Sequence, residues 1–163
     1  MAGLEDLYRE IIIDHYRSPR NRGELATPPA TRTEGFNPLC GDEIVVYLQL
    51  GEGSGDDRTI DEIRIGGQGC SISQSSASMM SMAVKGKTIG EARDIMKAFK
   101  AMMSIHESSL DDSVDEPDID DLGAMELGEL EAMRGVVKFP VRIKCATLSW
   151  NTLDQGISEA TTT

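Results

Sequence analysis

The sequence predicts an α+β fold, a small antiparallel sheet of about three strands packed by helices on one side. Three observations carry that expectation. The chain opens with apolar residues at helical spacing, its first third continues into two Ile/Val/Tyr-rich runs split by a turn composition, and two later segments begin with helix-capping patterns.

Leu4, Leu7, Tyr8, Ile11 and His15 recur along one helical face, so residues 4–17 read as an amphipathic helix that stops before Pro19. Residues 18–30, with Pro19, Gly23, Pro28 and Pro29, read as a connecting loop, and Thr31 to Gly35 as a short edge strand. Glu43 to Leu50 and Ile60 to Ile65 form an antiparallel hairpin across the turn-like stretch Gly51 to Asp57. Ser71 with Gln74 has the form of a capping box, and no Pro or Gly follows until Gly86, so a helix begins at Cys70 or just after it. Thr88 with Glu91 repeats the signal, and Ile89, Ala92, Met96, Phe99 and Met103 mark the buried side of a second long helix reaching about His106. Residues 107–121 carry a dense run of Asp and Glu and read as an inserted, solvated loop. A short helical stretch is expected near Ala124 to Met133. A final helix starts at Pro140, where a first turn tolerates proline, and uses Val141, Cys145, Leu148 and Leu153 to about Gly156.

At 163 residues, 39% of them apolar and 27% charged, the chain suits one domain spanning residues 1–163. Sixteen Lys and Arg against 28 Asp and Glu give a net charge of −12, which repels phosphate backbones and anionic lipid, so neither nucleic acid nor membrane is an expected partner. A signal-peptide pattern and a membrane-length apolar run are both missing from the sequence, and a cytoplasmic protein is expected. The glycines at 66, 67 and 69 precede a cysteine and do not form a nucleotide-binding loop. His15 and His106 fall on apolar stripes, where hydrogen-bonded packing is the expected role, and the methionines of the two long helices read as core.

Three cysteines, at 40, 70 and 145, are too few for a disulfide framework and point to thiol or metal chemistry. Cys40 stands in Asn37-Pro-Leu-Cys-Gly-Asp42, a turn in which Gly41 lets the Cys40 and Asp42 side chains converge. Cys70 follows Gly66-Gly-Gln-Gly69 at a helix N-terminus, where peptide dipoles favour thiolate. Cys145 lies in the first turns of the last helix. Three thiolates and a carboxylate would fill the tetrahedral shell of Zn²⁺, and soft sulfur selects zinc or iron over magnesium. With no CxxC pair, spacing by itself leaves three buried core thiols as the alternative.

The segments Asn37-Pro-Leu-Cys-Gly-Asp42, Gly69-Cys-Ser-Ile-Ser73 and Arg142-Ile-Lys-Cys-Ala-Thr-Leu-Ser-Trp150 resemble signatures of the IscU/NifU-like iron-sulfur cluster assembly family, over roughly residues 4–157. The insertion between the second and third cysteines, and Lys144 where scaffold members have a histidine, resemble its SufU-type branch. The resemblance implies a zinc-dependent sulfurtransferase that works with a SufS-type, pyridoxal-phosphate cysteine desulfurase and hands sulfur to a downstream Suf-type assembly complex. It implies zinc on Cys40, Asp42, Cys70 and Cys145, with Cys40 as the sulfur-accepting nucleophile. Assembly of an iron-sulfur cluster on a scaffold, with iron or the cluster in place of zinc, is the alternative, and a purely structural zinc domain a further one. Three thiolates, a carboxylate and Zn²⁺ sum to about −2. Arg142, three residues before Cys145 on the same helix, is the candidate neighbouring cation and joins Cys40 in the expected catalytic set.

Overall fold

The computed structural model describes residues 3–27, 30–38, 41–53, 55–108, 130–133, 136 and 139–161. Its elements run α1 (Gly3–Arg17), β1 (Thr31–Asn37), β2 (Asp42–Leu50), β3 (Ile60–Gln68), α2 (Ser71–Val84), α3 (Ile89–Ser108) and α4 (Pro140–Thr161), with a 3-10 turn at Gly55–Asp57. The strands form one antiparallel sheet in the order β1-β2-β3.

Alternation along β2 sets the layers. Ile44, Val46 and Leu48 are buried and stand opposite Gly35, Thr33 and Thr31 of β1 and Gly67, Ile65 and Ile63 of β3. That face meets α4 and α2, and the core is completed by Ile89, Ala92, Met96, Phe99 and Met103 of α3. Trp150 of α4 is fully buried and stacks on Phe99 with ring centroids 4.8 Å apart. The fit of α4 on the sheet depends on Gly35, where a Cβ would collide with Thr152 Oγ1. The free edge of β3 is covered twice. Asn21 and Gly23 exchange backbone hydrogen bonds with Ile65, and the turn between α2 and α3 does the same with Ile60 through Lys87 and Gly86.

The expected α+β architecture is present, with differences at element ends. β1 continues past Gly35 to Asn37, and β3 past Ile65 to Gln68, because backbone pairing with β2 carries on through the glycines. The cap of α2 is Cys70, whose thiol accepts the Ser73 N–H, so the Ser71/Gln74 capping box is corrected: Ser71 is the first helical residue. At α3 the expected cap holds, with Thr88 Oγ1 accepting the Glu91 N–H at 3.1 Å. The last helix runs beyond Gly156 to Thr161, and Val141, 65% exposed, is not on its buried side, which Ile143, Cys145, Ala146, Trp150, Leu153 and Ile157 occupy. Leu7 and Met82 are likewise exposed.

Helix α2 departs most from simple patterning, since Ser73, Ser75, Ser76, Ser78 and Ser81 are all buried. Their hydroxyls are satisfied locally or across to neighbours, as in Ser75 Oγ to Ser71 O at 2.6 Å and Ser76 Oγ to Ala146 O at 2.6 Å. Small side chains let α1 and α4 approach closely. His15 is fully buried and hydrogen-bonds Ser78 Oγ through Nδ1 at 2.8 Å, which is the packing role expected of it. Cys40, residues 109–121 of the acidic run and residues 124–129 of the expected short helix lie outside the described residues, as does the His106 side chain; 130–133 form a 3-10 turn. Among the described residues, no helix is long and apolar enough to cross a membrane.

Candidate metal centre

Three chain segments converge at one end of the sheet. Asn37 closes β1, and its carbonyl accepts the Gly41 N–H at 2.9 Å, with Gly41 at φ +68. The four-residue connection 38–41 then delivers Asp42 as the first residue of β2, in register with Asn37. A positive φ is a conformation that glycine adopts without the steric penalty of a Cβ, so the tight return is encoded at Gly41. Cys70 follows the end of β3 as the N-cap of α2. Cys145 sits in the second turn of α4, fully buried.

The Asp42 carboxylate and the thiols of Cys70 and Cys145 offer ligand atoms that all lie within 4.8 Å of one another. Asp42 Oδ1 accepts the Cys70 backbone N–H at 2.8 Å, and Oδ2 is 3.6 Å from Cys70 Sγ. Bond lengths of roughly 2.3 Å to sulfur and 2.0–2.2 Å to oxygen, at a tetrahedral angle, put a sulfur and an oxygen ligand of zinc about 3.6 Å apart. The pair is therefore already spaced as two corners of such a shell. Space is tight: a Cβ on Gly69 would lie 2.5 Å from Asp42 Oδ1 and 2.8 Å from Ser73 Oγ, so only glycine lets the chain pass the carboxylate.

Electrostatics point the same way. Asp42 is fully buried, yet among the described residues no Lys or Arg pairs with it. A buried carboxylate next to two thiols is costly unless a cation joins it. No acidic residue occupies the first turn of α2, so the positive end of that helix is left to Cys70 and Asp42. The donor set of two soft sulfurs and one hard oxygen fits zinc, with a fourth position to be filled.

Of the residues picked out by sequence, the fold brings Asp42, Cys70 and Cys145 together. Arg142 is exposed on α4 and lines a cavity of about 360 Å³ with Tyr8, Ile12, Ser71, Ile72, Val136 and Phe139, beside the first turn of α2. Lys144 is exposed. The sequence marks Gly69 and Ser73 only as neighbours of Cys70 in a motif, with no role of their own beside the Asp42 carboxylate. It gave Asn37 no role either, and this side chain donates from Nδ2 to Cys145 Sγ at 3.8 Å.

Known proteins give this arrangement a family. The family described as the NifU-like N terminal domain matches residues 7–146. The Bacillus subtilis protein named zinc-dependent sulfurtransferase SufU is 43% identical over 158 residues, covering 97% of this chain and 94% of its own. A Streptococcus pyogenes protein named iron-sulfur cluster assembly scaffold protein IscU is 35% identical, covering 98% and 88%. Among solved structures, a Fervidobacterium islandicum SufU named as an iron-sulfur cluster assembly scaffold protein for the SUF system superposes with a TM-score of 0.68 at 31% identity, over 93% of this chain and 97% of that one. The chain belongs to the IscU/NifU-like family of iron-sulfur cluster assembly proteins, on its SufU-type branch.

Proposed function

We propose that this protein is a cytoplasmic, zinc-dependent sulfurtransferase of iron-sulfur cluster assembly, which takes persulfide sulfur from a SufS-type cysteine desulfurase onto Cys40 and passes it to a downstream Suf-type assembly complex. The observation that carries the reading is the convergence of Asp42, Cys70 and Cys145, a buried carboxylate with no basic partner among the described residues beside two thiols. Those three, with Cys40 from the neighbouring 38–41 connection, are the proposed zinc ligands. The ion when bound supplies Lewis acidity that keeps its cysteine ligands deprotonated at neutral pH.

The chemistry of the transfer is thiol exchange. The Cys40 thiolate attacks the outer sulfur of the desulfurase persulfide; a new S–S bond forms on Cys40, the old S–S bond breaks, and the desulfurase cysteine leaves as thiolate. Asp42, at the start of β2, and Cys70, at the cap of α2, are anchored by regular structure. Cys40 lies outside the described residues, two positions before Asp42 in the sequence, and is the ligand proposed to leave the ion and take the sulfur. Arg142, one turn before Cys145, is proposed to act with Cys40 by offsetting the negative charge of the thiolates.

Desulfurase turnover, measured with the zinc-loaded protein, the metal-stripped protein and Cys40→Ala, tests this. Stimulation is expected from the zinc-loaded parent alone, with Cys40→Ala folded but inert. Full stimulation by Cys40→Ala would overturn the acceptor role and leave a structural zinc domain. The scaffold reading draws on the Streptococcus pyogenes relative's name. It predicts a brown protein with stoichiometric iron and sulfide, whereas the sulfurtransferase is expected to be colourless with one zinc.

A further inference from the structure

Each of the three clustered side chains accepts an N–H, and each of these donors is neutral. Asp42 Oδ1 takes the Cys70 backbone N–H at 2.8 Å, Cys70 Sγ takes the Ser73 N–H at 3.5 Å, and Cys145 Sγ takes the Asn37 side-chain N–H at 3.8 Å. The first two come from the backbone at the start of α2 and are present whatever the side chains nearby. The third is a side-chain choice. Cys145 lies within α4, where the backbone N–H groups are committed to the helix ladder, so its sulfur takes a donor from another element.

Asn37 is well placed to be that donor. It is 7% exposed, it ends β1 opposite Asp42 in the strand register, and its carbonyl accepts the Gly41 N–H just before Asp42. One residue thus ties the start of β2, through Gly41, to the sulfur of the last helix. A carboxamide does not titrate and its nitrogen is a poor metal ligand, so it orients a thiolate without competing for the ion. Hydrogen bonds to ligating sulfur are a recognised means by which proteins tune metal centres.

We propose that Asn37 is a positioning residue of the metal centre, its side-chain N–H holding Cys145 Sγ in ligating orientation and stabilising it as a zinc-bound sulfur. The proposal rests on the zinc reading given above. Removing the donor leaves Cys145 Sγ without that orientation and without a hydrogen bond to its thiolate form, and replacing it with a carboxylate sets negative charge against negative charge.

Zinc affinity is read by competition with a chromophoric chelator for the parent, Asn37→Leu and Asn37→Asp, with thermal melting of each metal-free form to register folding. The isosteric Asn37→Leu is expected to bind about 10–100-fold more weakly, the usual consequence of losing an outer hydrogen-bond partner. Asn37→Asp is expected to be weaker still, and the thiolate-to-metal absorption band of the cobalt-substituted forms is expected to shift. A packing role alone predicts parental affinity and an unshifted band in folded Asn37→Leu, and that result overturns the proposal. A second measurement needs no substitution: in the parent loaded with NMR-active cadmium, the Asn37 side-chain amide proton is expected to correlate with the metal through the N–H···S bond, and absence of any perturbation there overturns it too. A parent that binds no zinc removes the metal reading itself, whereas a zinc-binding parent with equally tight variants removes only the role of Asn37.

Discussion

Helices α2 and α3 begin in comparable ways and end up with different chemistry. Each has an N-cap whose side chain accepts the N–H three residues on, Cys70 from Ser73 and Thr88 from Glu91. At α3 the cap is a hydroxyl, and Glu91 both neutralises the positive helix end and accepts the Thr88 hydroxyl at 3.3 Å. At α2 the cap is a weakly accepting thiol, and the first turn has no acidic residue. The negative charge arrives from another strand, as Asp42. An ordinary helix start is satisfied within its own sequence, while the start of α2 is completed by tertiary structure, which leaves its positive end to the Cys70 thiol and the Asp42 carboxylate.

Cys70→Ser breaks that contrast most sharply. Serine is at least as good an N-cap, so the metal-free melting temperature is expected to hold, while zinc affinity falls by more than about 100-fold because a ligand is gone, beyond the usual effect of an outer partner. Chelator competition beside melting curves separates the two readouts, and retained zinc would show that Cys70 is a cap and nothing more. A smaller effect is expected of Gly69→Ala, whose Cβ would press on Asp42 Oδ1 and Ser73 Oγ. Overpacking of this kind costs about 1–3 kcal/mol, with weaker zinc binding as the carboxylate is displaced. Denaturant unfolding with and without zinc checks both. The least change comes at the other helix, where Thr88→Ala should lose about 1 kcal/mol of stability and leave zinc affinity unaltered. A fall in affinity there would mean that the two helix starts are coupled.

Much of the fold was legible because its signals are local. The period of α1, the Ile/Val-rich runs of β2 and β3, the Thr88 cap and the stripe of α3 depend on neighbours along the chain, and each appears where expected. What was illegible depended on contacts between distant segments. The buried serines of α2 look polar in sequence, and only their cross-chain partners, such as Ala146 O and His15, show why they belong inside. The Ile-rich run of β3 stops at Ile65 in the sequence, although backbone pairing of Gly66 and Gly67 to Val45 and Ile44 carries the strand on to Gln68. Val141 shares the apolar spacing that marks α4, but the helix turns that position outward.

For the site, the sequence by itself determined the chemistry on offer: three cysteines, one aspartate two residues beyond the first of them, and glycines where the backbone must bend. Thiol and carboxylate are properties of residue type, and no fold is needed to recognise them as candidate zinc ligands. The tertiary structure alone decided that Asp42, Cys70 and Cys145 meet within 4.8 Å, that the carboxylate is buried, and that neutral N–H donors from Cys70, Ser73 and Asn37 surround them. The reason is that convergence of a strand start, a helix cap and a second helix is set by sheet register and helix packing, which join residues 28 and 108 positions apart and leave no pattern in the chain between them.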